Sequence, residues 1–163
     1  PKTNMQTSSV VHNIGVLHLK NQHYPEATDY FKKAIELSKK AMTPRYNLAQ
    51  IYLKFTFYKK AKIELTELLH SNNKDIDFLN SMAHLSLMEK RYQDSLRYFK
   101  QIPGEYHSRD DIATNLAMVY FMLGNYDFAK QTLGKSDKKD SFYVSSQTEM
   151  LKKIEKKVKA GKL

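Results

Sequence analysis

Histidine is the side chain of this sequence best suited to proton transfer or metal binding at neutral pH. It occurs at His12, His18, His23, His70, His84 and His107. These positions show neither the spacing of metal ligands nor carboxylate partners at ligand intervals. The chain also has no cysteine, no glycine-rich phosphate loop, no serine nucleophile elbow and no His-Glu-x-x-His motif. We therefore predict a protein that is not an enzyme and has no catalytic residue, metal site or cofactor.

Asparagine offers a different chemistry, which is the recognition of another polypeptide. Asn13 and Asn47 lie 34 residues apart, and Asn115 follows at twice that interval. Asparagine is a poor helix former, but its carboxamide matches the N–H and C=O groups of a bound backbone. The alternative is that these amides bond a neighbouring helix or water. The sequence leaves both interpretations open.

The same 34-residue interval governs the elements that would position these side chains. It separates four tyrosines, each preceded by a small residue nine positions earlier and followed by one three positions later. The tyrosines are Tyr24, Tyr58, Tyr92 and Tyr126; the earlier small residues are Gly15, Ala49, Ala83 and Ala117; the later ones are Ala27, Ala61, Ser95 and Ala129. With only 5 glycines and 4 prolines, the chain favours helices over a sheet.

Small residues at these positions predict pairs of antiparallel helices in close contact. Two backbones approach closely where a small side chain of one helix meets a small side chain of the next. Pro25 falls in the first turn of a second helix, where its missing N–H costs nothing. Pro103 and Gly104 predict the end of the second helix of the third pair. The chain is therefore expected to form four helical hairpins without insertions.

This pattern resembles that of the tetratricopeptide repeat (TPR) family, whose unit has 34 residues. The resemblance implies an all-α fold, a right-handed α–α superhelix (TPR solenoid) of four hairpins plus a C-terminal helix, in a single domain over residues 1–163. The repeats would cover residues 8–41, 42–75, 76–109 and 110–143. The family's proline at repeat position 32 is absent, and position 11 is irregular. These departures affect the regularity of the repeats rather than the fold.

The segment after the fourth hairpin does not continue the repeat. Its apolar or neutral residues fall on one face at helical spacing, namely Val144, Gln147, Leu151, Ile154 and Val158. An open stack of repeats needs a terminal element to cover its last apolar face. We therefore predict a capping helix over residues 141–159 that packs on the second helix of repeat four and covers Phe128 or its neighbours.

The family resemblance also implies a binding surface. In TPR proteins the first helix of each pair lines a concave groove that holds a peptide or helix of a partner protein. The corresponding residues here are His12, Asn13, Lys20, Tyr46, Asn47, Gln50, Lys54, Asn80, His84, Met88, Asn115, Met118 and Met122. Phe121 joins the methionines in a soft apolar patch, although it and Leu87 hold a position that is half core in such helices.

One version of the family groove clamps the C-terminal carboxylate of chaperones with lysine and arginine. The matching positions here are Ser9, Asp77 and Ser81. The cations are missing and Asp77 would repel a carboxylate. We therefore predict that the groove does not bind chaperone tails.

Charge offers an alternative function. The net charge is +10, and the lysines cluster on the predicted second helices and the tail, away from the groove. Such a surface attracts nucleic acid or an anionic membrane, although a solvated lysine face is the commoner explanation. Electrostatic binding through the convex face and tail is the alternative to a protein-binding adaptor.

The sequence leaves the compartment and the partner open. It contains no apolar run long enough to span a membrane, and its oligomeric state is not predicted. The chain begins at Pro1 rather than Met, which favours a fragment or a processed form, cytoplasmic or, after loss of a signal, periplasmic or membrane-associated. Similar short repeat domains act in bacterial envelope, pilus and secretion assemblies, and the resemblance admits such a setting here.

Overall fold

The computed structural model describes the backbone of residues 2–69 and 75–160, and the side chains of residues 7–69 and 75–160. Regular structure in these ranges is entirely helical. The α-helices are α1 (Lys2–Lys20), α2 (Tyr24–Leu37), α3 (Met42–Lys54), α4 (Tyr58–Leu69), α5 (Ile76–Met88), α6 (Tyr92–Phe99), α7 (Asp110–Met122), α8 (Tyr126–Gly134) and α9 (Ser141–Ala160). The predicted all-α fold of helical hairpins followed by a C-terminal helix is confirmed. Over the described residues, no helix has both the length and the apolar character needed to cross a membrane.

The chain divides into two compact units, Pro1–Asn73 with α1–α4 and Lys74–Leu163 with α5–α9. In the first unit, α1 packs on α2, α2 on α3, and α3 on α4. In the second unit, α5 packs on α6, α7 packs on both α5 and α8, and α9 contacts α7 and α8 together. Each unit thus holds two hairpins, and a single domain over residues 1–163 stays a prediction.

Two helix boundaries differ from the sequence pattern. The first helix begins at Lys2, before the repeat register starts at Ser8, because no glycine or proline interrupts the residues after Pro1. The helix α6 ends at Phe99, before Pro103 and Gly104. A 3-10 turn over Gly104–Ser108 then leads into α7.

Every small residue at the helix crossings is buried. Among these crossing residues, the following have 0% exposure: Ala27, Ala49, Ala61, Ala83, Ser95, Ala117 and Ala129. A Cβ atom on Gly15 would lie 2.7 Å from Cε1 of Phe31, which is well inside the optimal separation of two carbons. In the third hairpin the Ser95 hydroxyl donates to the carbonyl of Ala83 over 2.7 Å. The predicted close packing at Ala49 and Ala83 is confirmed.

The turn inside each hairpin has the same backbone geometry in all four repeats. Its central residue has a positive φ and recurs every 34 residues, at Gln22, Thr56, Lys90 and Gly124. Backbone bonds close the turn as in a Schellman motif, for example from Phe57 N–H to Tyr52 C=O at 2.8 Å. Only the fourth repeat has glycine at this position. The other three turns therefore rely on hairpin packing to hold a conformation that is strained for L-residues, most of all for the β-branched Thr56.

Enlarging a crossing residue should separate the helices of a hairpin. We expect Ala83→Leu to lower the free energy of unfolding by about 1–3 kcal/mol or more, because added methylenes in a full core force side chains and backbone to shift. Urea denaturation followed by circular dichroism measures this change. The control, Ala160→Leu at the exposed end of α9, should stay within about 0.5 kcal/mol of the parent. An unchanged midpoint for Ala83→Leu would contradict the close-packing explanation.

The C-terminal helix α9 caps the second unit. Its Met150 and Ile154 join Ala117, Ala129 and Leu133 in one buried cluster. Leu151 and Val158 pack against this cluster from its edge.

The cap covers Ala129 but not its neighbour Phe128, which is 58% exposed and stacks on Tyr120 with ring centroids 5.4 Å apart. The expectation that α9 packs on the second helix of repeat four and covers Phe128 or its neighbours is therefore met at Ala129 and Leu133. The buried face of α8 is the one that carries Ala129 and Leu133.

Candidate functional site

The predicted groove residues of the first two repeats lie on α1 and α3. Asn13, Lys20 and Lys54 are exposed, whereas Tyr46, Asn47 and Gln50 are half-buried. The Lys54 ammonium lies 5.3 Å from the centroid of the Tyr24 ring, close enough for a cation–π contact. These two helices thus carry polar side chains, and their contact with a partner stays a prediction.

His12 has a different environment from the polar residues around it. Its ring lies 5.5 Å from that of Phe31, centroid to centroid. Burial lowers the pKa of His12, so the imidazole is neutral at pH 7. Its buried Nδ1 has no hydrogen-bond partner among the residues that the structure describes. His12 therefore supports the fold of the first hairpin as an apolar ring would.

In the third and fourth repeats, a polar ladder links α5 to α7. Arg109, directly before α7, places its guanidinium 2.7 Å from Asp77 on α5 and 2.9 Å from Asp111 on α7. Asn80 then donates to Asp111 over 2.8 Å, and Asn115 donates to Asn80 over 3.4 Å. Asn115 thus bonds a neighbouring helix, which is the alternative interpretation given above for Asn13, Asn47 and Asn115.

The ladder also sets the net charge of the surface formed by Asp77, Arg109 and Asp111. The hydrogen bond to Asp111, followed by the one to Asp77, raises the pKa of Arg109 above its already high value. Two carboxylates surround one guanidinium, so a single negative charge remains. The side chain of Asp77 is 51% exposed. Sequence reasoning noted the negative charge of Asp77 but missed Arg109, because pairing across two helices depends on where the turn before α7 places the Arg109 side chain.

At the opposite end of α5 and α7 the surface is apolar. Met88 is 36% exposed and Met122 is 45% exposed, at the same repeat position. Met118 and Phe121 instead pack against the core cluster beneath α9. The predicted soft patch therefore consists of two exposed thioethers supported by two half-buried side chains, and its contact with a partner stays a prediction.

His84, Ser81 and Leu87 of α5 are less exposed than Met88 and Met122. Burial lowers the pKa of His84, so this ring is neutral at pH 7. Ser81 and Leu87 are buried, at 5% exposure each. Ser81 and Leu87 therefore belong to the helix contacts, whereas His84 is half-buried and its contact with a partner stays a prediction.

Sequence reasoning missed a buried polar cluster at the start of α7. Both carboxylate oxygens of Asp110 accept hydrogen bonds, from the Ser136 hydroxyl and from the backbone N–H groups of residues 138, 139 and 140. Gln147 of α9 donates to Ser136 and to Thr114, over 2.9 Å each. An acidic residue in the first turn of a helix is ordinary, so no sequence signal set Asp110 apart. The cluster fastens the loop that precedes α9.

The histidines form no chemical site in the described part of the chain. Within residues 7–69 and 75–160, no group of three or more His, Asp or Glu residues is placed to hold a metal ion. His107 bonds the backbone carbonyls of Phe99 and Ile102, and His18 stacks on Tyr30 at 5.1 Å. His70 lies outside the described residues. The histidines that are seen take part in packing and turn geometry.

Comparisons with known proteins agree on one fold. A family model for the tetratricopeptide repeat matches residues 7–42. The structure is similar to that of pilF from Pseudomonas aeruginosa, with a TM-score of 0.74 and 19% identity over 98% of this chain and 74% of that chain. It is also similar to a tetratricopeptide repeat protein from Parabacteroides merdae, with a TM-score of 0.69 and 18% identity over 93% of this chain and 61% of that chain. A thermophilic TPR protein of Thermus thermophilus gives a TM-score of 0.66 and 16% identity over 78% of this chain and 72% of that chain. No curated protein sequence matches.

Proposed function

We infer that this chain, a tetratricopeptide repeat protein, is a scaffold or adaptor that binds a peptide or helix of another protein on the first helices of its repeats. Proteins of this family typically act as non-catalytic interaction scaffolds. The observation that carries the proposal is the pair Met88 and Met122. These thioethers are exposed at one repeat position on two helices, α5 and α7, that pack together.

Methionine suits this role because its unbranched, polarisable side chain adapts to apolar partners of different shape. Met118 and Phe121 lie half-buried on the core cluster and would form the floor of the contact. A partner would therefore place an apolar side chain against Met88 and Met122.

At the N-terminal end of α5 and α7, the surface favours a hydrogen-bond donor or a cation of the partner. Asp77 precedes Met88 by eleven residues of one helix, which corresponds to about 16 Å. The surplus negative charge beside Arg109 favours a lysine, an arginine or an N–H donor there. We therefore expect a bound segment to carry an apolar residue and, about 16 Å away, a basic residue.

We place the partner among proteins of a bacterial envelope, pilus or secretion assembly. The support for this setting is the use of similar short repeat domains in such assemblies. The likeness to pilF concerns the fold alone, so the partner must be identified by its binding.

Peptides selected on the immobilised chain from a random display library provide the test. Met88→Lys combined with Met122→Lys should weaken binding of a selected peptide at least about tenfold, since losing a central apolar contact typically costs more than 1 kcal/mol. The affinity should depend little on salt. Fluorescence anisotropy measures both effects.

The control is Phe128→Lys, which adds charge at a more exposed apolar side chain (58%, against 36% for Met88 and 45% for Met122) on the second helix α8. It should bind like the parent, as should a variant with Lys32, Lys33, Lys59 and Lys60 neutralised. A methionine variant with parental affinity would contradict the proposed surface. A steep loss of affinity with salt, together with loss in the lysine variant, would instead indicate binding of a polyanion.

A further inference from the structure

The turn between α3 and α4 carries large apolar side chains that its own hairpin leaves partly uncovered. Phe55 is 42% exposed, Phe57 is 53% exposed, and Ile63 on α4 is 63% exposed. The ring of Phe55 meets Tyr24 edge to face at 5.0 Å, and that of Phe57 meets Tyr52 at 6.4 Å. These contacts fix the two rings, yet about half of each ring faces solvent.

Lysines surround these apolar groups. Lys60 holds its ammonium 5.3 Å from the centroid of the Phe57 ring, and Lys54 lies over Tyr24 beside Phe55. Lys59 and Lys62 line, with Ile63, a shallow open depression of about 480 Å³ on α4. We call the following residues the turn-two surface: Lys54, Phe55, Phe57, Lys59, Lys60, Lys62 and Ile63.

Little negative charge lies beside Lys54, Lys59 and Lys60 in the sequence. Residues 53–63 contain four lysines and no aspartate or glutamate. Glu64, the next acidic residue along α4, is paired with Arg45 at 2.9 Å. Glu67 lines the far side of the depression, and Asp29 of α2 lies 3.9 Å from Lys32. The turn-two surface is therefore both basic and apolar.

Its chemistry fits lipid better than nucleobases. Bases stack on aromatic faces, but Ile63, the most exposed of the three apolar side chains at 63%, has no aromatic face. Apolar side chains at the acyl boundary with lysines at the headgroups are the usual means of attachment to an anionic membrane surface. We propose that the turn-two surface binds reversibly to anionic lipid bilayers. This surface combines the turn with the first part of the second helix α4, and it does not include the basic tail.

A tryptophan reporter tests the proposal directly. The chain has no tryptophan, so Phe55→Trp introduces a single reporter while keeping an aromatic ring against Tyr24. Its emission should shift to the blue, and brominated lipids should quench it, on vesicles of phosphatidylcholine with roughly a third phosphatidylserine. Pure phosphatidylcholine vesicles should give no response. The matched reporter Phe128→Trp, at a side chain 58% exposed on α8, should keep the emission of a solvated indole.

Vesicle co-sedimentation separates the apolar from the charged contribution. Phe57→Ser with Ile63→Ser leaves the charge unchanged and should lower the partition coefficient at least about tenfold. Replacing Lys54, Lys59 and Lys60 with Gln should lower it by a further factor of about five per lysine. Replacing Lys152, Lys156 and Lys157 with Gln removes the same charge from α9 and should have a much smaller effect.

Several outcomes would overturn the proposal. The first is that the emission of Trp at position 55 does not change on anionic vesicles. The second is that the emission changes equally at positions 55 and 128. The third is that the two lysine variants lose the same fraction of vesicle binding. A response to single-stranded oligonucleotide but not to vesicles would identify a nucleic-acid surface instead. Because Phe55→Trp conserves the ring packing, we expect this variant to have the thermal midpoint of the parent. The fluorescence test therefore remains valid even if a serine variant unfolds.

Discussion

Asp110→Ala should unfold the second unit at a markedly lower denaturant concentration than the parent. The substitution removes the acceptor for the Ser136 hydroxyl and for the N–H groups of residues 138, 139 and 140. Asp110 is only 8% exposed, so water replaces these bonds poorly. We expect a loss on the order of 3 kcal/mol or more, measured by urea denaturation.

The same carboxylate predicts a dependence on pH. The hydrogen bond from Ser136, supported by the three backbone N–H groups, lowers the pKa of Asp110 from 3.8 to about 2. Because the folded pKa lies below the unfolded one, the ionised group stabilises the fold above pH 4. This contribution disappears as the pH falls from about 4 to about 2.

Two variants control this prediction. Asp110→Asn should lose the part of the acid sensitivity that comes from this group. Asp127→Ala, at an exposed position in the first turn of α8, should leave stability nearly unchanged. If Asp110→Ala unfolded at the parental urea concentration, the cluster would not be what holds the loop before α9.

Deleting residues 144–163 should have the second large effect. The deletion removes Met150 and Ile154, which are 4% and 1% exposed, from the cluster with Leu133. Burial of two such side chains contributes on the order of 3–6 kcal/mol, and their loss exposes an apolar face that favours self-association. Thermal unfolding and sedimentation velocity measure the two consequences.

The control for the deletion keeps α9 and changes only its charge. Replacing Lys152, Lys156 and Lys157 with Gln should preserve the thermal midpoint and the sedimentation coefficient of the parent. A truncated chain as stable and as monomeric as the parent would show that the tail is a free basic arm. It would then support the electrostatic alternative.

The sequence by itself determined the helices, the hairpins and their closest contacts. A small residue must stand wherever two helix backbones meet, so Gly15, Ala49, Ala83 and Ala117 mark the crossings without any knowledge of the three-dimensional structure. The sequence also predicted the face of α9 that joins the core, because helical spacing places Gln147, Ile154 and their neighbours on one side of the helix. These features follow from local periodicity, which a sequence displays directly.

Only the tertiary structure decided the polar contacts between elements. Asn80 bonds Asp111 and Asn115, and Arg109 bridges Asp77 to Asp111, because the turn before α7 brings together side chains about one repeat apart. Asp110 is buried because the loop of residues 136–140 folds over it and aims three N–H groups at its oxygens. The periodicity of a sequence does not indicate the direction in which a loop orients its backbone N–H groups. The conformation of that loop, and with it the attachment of α9, was therefore decided by packing in three dimensions.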